Sequence, residues 1–255
     1  MSTSTRARID PRLRERRVAV QRERGRRRLR ILGAAVALGL VGVAAYGIAR
    51  SPLLAVESIA VEGANHADAD AIRAASGIDD GDPILFVDLG AARRGVEEVP
   101  WVATAHVTRE LAHTIRIEVT ERVPVAWFAT VDGGQVVVDA SGRMLGVASA
   151  SMLPELVGLQ TSAGTPGEDV EPAGLAGVVA ALPEALRSRV VAVVRADEGG
   201  QPGATLALAD GPEVRLGRLE HIAEKGSAAL AVLGALGEGT PTYLDVRVPS
   251  APVTG

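Results

Sequence analysis

"WVATAHVTRELAHTIRIEVTE", residues 101–121, contains two alternating runs around a four-residue interruption. In the second run Ile115, Ile117 and Val119 share one face, while Arg116, Glu118 and Thr120 share the other. That is the period-2 pattern of a half-buried strand. The first run, residues 101–109, alternates more loosely, and "ELAH" (110–113) has the length of a hairpin loop. The stretch predicts an antiparallel hairpin, and its neighbours can be read outward from it.

Upstream, Asp88 stands where a helix cap would, before an apolar stripe of Leu89, Ala92, Val96 and Val99 that Pro100 stops. "GDPILFVD" (81–88) is a short apolar link. Asp68 can cap an earlier helix, with Ile72 and Ala75 on one side and Gly77 at its end. "AVESIAVEG" (55–63) reads as a strand closed by Gly63. The order over 52–121 is β-α-α-β-β.

Downstream the texture becomes richer in strands. "GQVVVDASGRML" (134–145) reads as strand, Ser-Gly turn, strand, whereas 152–172, dense in Pro and Gly, reads as loop. Short helices are expected at Ala173–Ala181 and Glu184–Arg189. Strands follow in "VVAVVRAD", "ATLALAD" and "EVRLGR", with "DGP" turning between the last two. A helix over Leu219–Leu236, with Ile222, Leu230 and Leu233 inward, precedes the closing strand "TYLDVRV" (242–248) and a tail, 249–255.

At the other end, "RRRLRILGAAVALGLVGVAAYGIARS" (26–51) sets a basic run against an uncharged stretch, Ile31 to Ala49. As a helix this covers about 28 Å, one bilayer core. Twelve arginines against Asp10, Glu15 and Glu23 give the first 30 residues a net +9; the rest holds 15 basic and 28 acidic residues, or −13. Arginine-rich flanks stay cytoplasmic, so the expected topology is a basic cytoplasmic segment (1–30), one transmembrane helix (31–49) and an acidic exterior part. Gly47-Ile48-Ala49 has the small-x-small form of a cleavage site, but a signal peptide has a shorter apolar centre and a smaller basic head. The arginine run could also serve a nucleic acid, although the topology signal already accounts for it.

Composition excludes disulfides and thiolate metal sites, because there is no cysteine. With only two Trp, two Tyr and two Phe, the core must be built from Val, Leu, Ile and Ala. Aromatic platforms for stacking bases or sugars are not expected. No nucleophile elbow, zinc-binding helix motif or phosphate-binding glycine loop occurs. His106 and His113 flank the hairpin and lack a third ligand, so a metal site is not expected there. Asp79-Asp80-x-Asp82 departs from calcium-loop spacing at Pro83 and Ile84 and reads as a turn. Ala35 and Gly39 have small-xxx-small spacing, which alanine and glycine abundance explains. Trp101 and Trp127 read as packing residues.

"VEGAN" (61–65), residues 84–110 and "TIRIEVTERVPVAW" (114–127), followed by "VVVDASGRML", "LPELVGL", "EVRLGRLEHIAEK" and "TYLDVRVPSAPV", agree in order with the FtsQ/DivIB family of bacterial division proteins, which the chain resembles. Asp139, Gly142, Lys225, Tyr243, Asp245 and Arg247 stand at its landmark positions, and Glu121-Arg122-x-Pro124 marks its domain junction. The family's aromatic–proline turn is replaced here by Glu110 to His113. The resemblance implies an α+β chain: one transmembrane helix, a β-α-α-β-β POTRA domain (50–121), and a β-rich domain with flanking helices (122–248). It implies a non-enzymatic scaffold without cofactor or metal, a single-pass type II protein of the cell membrane at the division septum. Such a scaffold is essential for septum formation and links early cytoplasmic division proteins to late exterior ones by binding the coiled-coil proteins FtsB and FtsL. A partner strand would add to the edge of the closing strand, and the expected binding residues are Tyr243, Asp245, Arg247, Val248 and Ser250. The other reading is a membrane-anchored enzyme that processes peptidoglycan.

Overall fold

The computed structural model describes residues 11–51, 54–110, 113–131, 133–148, 152–159, 164–172, 174–236 and 241–255, with side chains from residue 30 onward. The expected hairpin loop and the start of the first short helix therefore lie partly outside the described residues, at 111–112 and 173, and so do residues 1–10 of the basic segment.

The chain divides into two units. The first comprises 1–57 and 79–87. Its main element is helix α1, Pro11–Ala49, which runs without interruption from the basic segment into the apolar one. From Arg30 to Ala49 it is long and apolar enough to cross a membrane, and none of that length is buried within the protein. Beyond it, Ala55 bridges Pro83, the Val56 N–H donates to the Asp82 carbonyl (2.8 Å), and the Gly81 N–H donates to the Val56 carbonyl (2.8 Å). The apolar link forms a single 3-10 turn, Ile84–Phe86. The Asp79 N–H donates to the Asp82 carboxylate (3.0 Å), so the expected turn is present there.

The second unit comprises 58–78 and 88–255 and contains two sheets. In the first, β1 (Ser58–Glu62) runs parallel to β3 (Thr114–Glu121), which pairs antiparallel with β2 (Val102–Glu110). Ile115, Ile117 and Val119 are buried in the order their alternation predicts. Helix α2 (Ala69–Ser76) starts where the Asp68 carboxylate accepts the Asp70 N–H and ends at Gly77, which adopts φ 63°. Helix α3 (Leu89–Glu98) starts where the Asp88 carboxylate accepts two N–H groups, from Gly90 and Ala91. Ala92 and Val96 are its buried stripe. A Cβ on Gly95 would stand 2.1 Å from the Ala75 carbonyl oxygen, so this glycine lets the two helices touch.

The second sheet has nine strands in the order β12-β11-β10-β9-β8-β7-β4-β5-β6. They are β4 (Pro124–Ala129), β5 (Gln135–Asp139), β6 (Met144–Val147), β7 (Glu155–Val157), β8 (Val190–Arg195), β9 (Gly203–Leu208), β10 (Glu213–Arg218), β11 (Tyr243–Asp245) and β12 (Val253–Thr254). Helices α4 (Gly174–Ala181), α5 (Glu184–Arg187) and α6 (Ile222–Ala235) supply apolar side chains to the main core. A smaller cluster gathers Val137, Leu145, Trp101 and Trp127, with the Trp127 indole donating to the Leu153 carbonyl (3.1 Å).

Four details differ from the sequence reading. Residues 155–157 are a strand, not loop, held by parallel neighbours on both sides, β4 and β8. Residues 124–129, taken only as a junction, form a sheet strand. The buried face of α6 includes Lys225 and Gly226, while Leu230 and Leu233 are partly buried. The closing strand stops at Asp245, and the tail returns as β12, because the Asp245 carboxylate captures the Arg247 N–H and the Val248–Ala251 turn reverses the chain.

Candidate functional site

The predicted binding residues gather at the β10–β11–β12 end of the large sheet. Strand β11 lies parallel to β10, with Glu213 opposite Tyr243 and Arg215 opposite Asp245. Leu244 and Val246 are fully buried in the main core and fix the depth of this segment. The side chains between them must face the other way, as strand alternation requires. The Arg215 guanidinium lies 4.0 Å from the centroid of the Tyr243 ring, a cation–π contact.

Asp245 and Arg247 form the charged centre. Arg247 donates to the Asp245 carboxylate through its Nε (2.9 Å) and Nη2 (2.7 Å), and through its Nη1 to Glu198 (2.9 Å). The Arg247 guanidinium holds the Asp245 carboxyl below its ordinary range against the opposing effect of burial, and the Arg247 N–H and Arg215 add to it. The Arg247 pKa is correspondingly raised, first by Asp245 and then by Glu198. Arg247 thus already has acidic neighbours within its own chain. Val248 is 57% exposed, and Ser250 is exposed in the turn beyond it.

The outermost strand of this edge is β12. Tyr243 and Gly255 exchange both main-chain hydrogen bonds (3.1 and 3.2 Å), and Leu244 sits opposite Thr254. In an antiparallel ladder the pair next to a hydrogen-bonded pair is not hydrogen-bonded, so the main-chain groups of Thr254 point away from β11. The edge is therefore displaced by one strand from the predicted position. The Val246 N–H donates inward to Arg215 O (3.0 Å), which makes it an internal group.

Two contributors were not visible as part of this site. Glu198 reaches it from 49 residues away. Gly217, at φ 62° beside a register shift in β10, leaves room for the Arg247 side chain: a Cβ there would lie 2.8 Å from Arg247 Cγ and 2.6 Å from Glu198 Oε2. A glycine inside the strand-like "EVRLGR" is the signal that could have found it. Nearby, an open cleft of about 240 Å³ is lined by Arg218, His221, Glu224, Lys225 and Pro249, among others. Lys225 is buried, donating to the Arg218 carbonyl (2.7 Å); burial lowers its pKa against the pull of Glu220 and Glu198.

The landmark acids at the junction are anchors for main-chain groups. The Glu121 carboxylate accepts the N–H groups of Asn65, His66 and Ala67 (2.7, 2.7 and 2.8 Å) and meets the His66 ring (2.8 Å), which stacks on Trp101 at 4.8 Å. Burial pushes its carboxyl up, but these hydrogen bonds outweigh burial and hold it at about 2. Arg122 joins the Val102 carbonyl (3.1 Å) to Asp139 (2.8 Å), and Asp139 also accepts from Ser141 and Arg143.

His106 pairs across the ladder with Glu118, whereas His113 adjoins the Thr114–Glu110 rung, about 13 Å along the strand. Among the described residues no group of three or more His, Asp or Glu could hold a metal ion.

Comparison with known proteins places this geometry. Residues 54–122 match the FtsQ-type POTRA domain, and 127–247 match the C-terminal domain of cell division protein FtsQ/DivIB. The chain is 31% identical to the cell division protein FtsQ of Corynebacterium glutamicum over 224 residues, 85% of this chain and 96% of that protein. It is 30% identical to FtsQ of Mycobacteroides abscessus, covering 87% of this chain and 67% of that one, and 31% identical to FtsQ of Anaeromyxobacter sp. (strain K), covering 89% and 84%. With both family domains matched in order behind a helix fit to span a membrane, the chain belongs to the FtsQ/DivIB family of cell-division proteins.

Proposed function

We propose that this protein is a bitopic, non-enzymatic scaffold of the septal division machinery. The basic segment faces the cytoplasm, and the parts bounded at 50–121 and 122–248 work outside the membrane. The POTRA part takes part in localisation; the β-rich part binds an exterior partner of the FtsB/FtsL coiled-coil kind and so couples early to late division proteins. The observation that carries this reading is the edge of the large sheet. It ends in a two-residue strand whose outward main-chain groups are offered beside Tyr243, Asp245, Arg247, Val248 and Ser250. A partner segment added there would gain hydrogen bonds from the ladder and its register from those side chains.

The test uses full-length protein co-produced with the FtsB and FtsL proteins of the same cell. Thr254→Pro removes an outward N–H without touching the β11 ladder, and Val248→Asp alters an exposed apolar side chain. Each variant is expected to capture the pair about tenfold or more weakly, ~1.4 kcal/mol, with an unchanged circular dichroism spectrum. Wild-type capture by both folded variants would remove the interface from this edge.

A further inference from the structure

In the first unit, four consecutive apolar residues, Ile84 to Val87, follow the Asp79–Asp82 turn, and two of them are open to solvent: Leu85 is 55% exposed and Phe86 54%. An exterior loop gains nothing in water from such a tip, and an exposed apolar patch commonly marks a contact surface. Its surroundings indicate what the contact is. The Phe86 ring meets the Tyr46 ring edge-on, with centroids 6.1 Å apart. Tyr46 lies three residues before the end of the apolar helix at Ala49, about 4.5 Å along the helix axis. A ring that touches Tyr46 is therefore at bilayer depth whenever that helix spans. Arg50, the first charge after the apolar stretch, lies over both rings, 5.2 Å from the Tyr46 centroid and 5.6 Å from that of Phe86.

Aromatic rings at the edge of the apolar helix, with a guanidinium just beyond them, reproduce the layering of a bilayer boundary: acyl chains, aromatic belt, charged headgroups. The acids of the loop sit in the preceding turn, with the Asp82 carboxylate taken up by the Asp79 N–H, and the tip itself is uncharged. The bridge from Ala55 to Pro83 and the paired bonds between Val56 and the 81–82 backbone tie the tip to the chain as it leaves the membrane.

We propose that Leu85 and Phe86 form a membrane foot, inserted at the headgroup–acyl boundary of the outer leaflet of the bilayer that α1 crosses. The exterior chain then holds the membrane at two points, the helix and the foot, which restricts swivelling about the residues just after Ala49. This rests on α1 remaining as a transmembrane helix.

The chain lacks cysteine, so single-cysteine variants of the full-length protein can be labelled with a polarity-sensitive fluorophore in phosphatidylethanolamine–phosphatidylglycerol proteoliposomes. Leu85→Cys leaves the Tyr46, Arg50 and Phe86 side chains in place; Val41→Cys reports the span; Val131→Cys, 83% exposed in the second unit, reports solvent. The Leu85 label is expected to shift to the blue and to be quenched more by a nitroxide near the headgroup than by one deep in the acyl chain. The Val41 label should show the reverse preference, and the Val131 label neither. Adding Phe86→Asp should cut quenching at Leu85 by more than half and leave Val41 unchanged. A Leu85 label quenched no more than Val131, while Val41 is quenched deep in the bilayer, overturns the foot and leaves the span intact. A Val41 label outside the bilayer overturns both.

Discussion

At the scale of single residues, the strongest local constraints are charged or missing side chains that serve main-chain geometry. Glu121 gathers three consecutive N–H groups, and its carboxyl sits at about 2 instead of its ordinary 4.5. A lowered folded-state pKa contributes stability above the unfolded value, and that contribution disappears as pH falls from about 4.5 towards 2. Glu121→Ala should therefore lower stability at pH 7 by about 2–3 kcal/mol, since three donors lose a charged acceptor. Its urea midpoint should fall less than that of wild type between pH 5 and 3; parallel acid limbs would show that the carboxylate is not the group responsible. Gly217 makes the opposite kind of contribution. It occupies φ 62°, and a Cβ would meet Arg247 and Glu198, so Gly217→Ala should cost about 1–3 kcal/mol in thermal or urea unfolding. If stability is unchanged, the Arg247–Glu198 arrangement is not held there in solution.

Elements differ in how far sequence reveals them. Those with a local cause were legible: β3 by the alternation of Ile115, Ile117 and Val119, α2 by Asp68 and Gly77, α3 by Asp88. Strands β7 and β12 were not. Three residues between Pro154 and Gly158, or two after Pro252, cannot display a period; parallel neighbours define the first and the chain reversal at 248–251 defines the second. The candidate site was half legible for the same reason. Tyr243, Asp245 and Arg247 lie close in sequence, whereas Glu198 and Gly217 reach them only through the register of the sheet. Closeness of elements also sets a prediction. Helices α2 and α3 approach until Gly95 faces the Ala75 carbonyl, so Gly95→Val should force them apart and destabilise the small α/β part by about 2–3 kcal/mol. Hydrogen exchange resolved by segment should show faster exchange in α2 and α3 than in β8 and β9; uniform acceleration across both sheets would show that the sheets unfold as one.

For the whole molecule, charge and apolarity divide the chain at one place. Twelve arginines and three acids precede residue 31; 15 basic and 28 acidic residues follow, and between the two bodies of charge stands the helix from Arg30 to Ala49. Translocating the arginine cluster is costly, whereas a long acidic segment can cross with the export machinery, so a single orientation is favoured. The competing fate is cleavage after Gly47-Ile48-Ala49, which would release everything from Arg50 onward. The two fates differ in what is recovered. An anchored chain stays in the membrane pellet through alkaline carbonate washing at full length. In spheroplasts, protease should remove the exterior part, and a fragment containing α1 should remain protected. Replacing the six arginines Arg22, Arg24, Arg26, Arg27, Arg28 and Arg30 with glutamine should weaken the orientation signal, and a measurable share of chains should then leave the exterior part shielded from protease. A soluble wild-type product beginning at Arg50 would show that the helix is a leader. It would also leave the proposed scaffold with no membrane to hold, so anchoring and the proposed coupling role stand or fall together on this measurement.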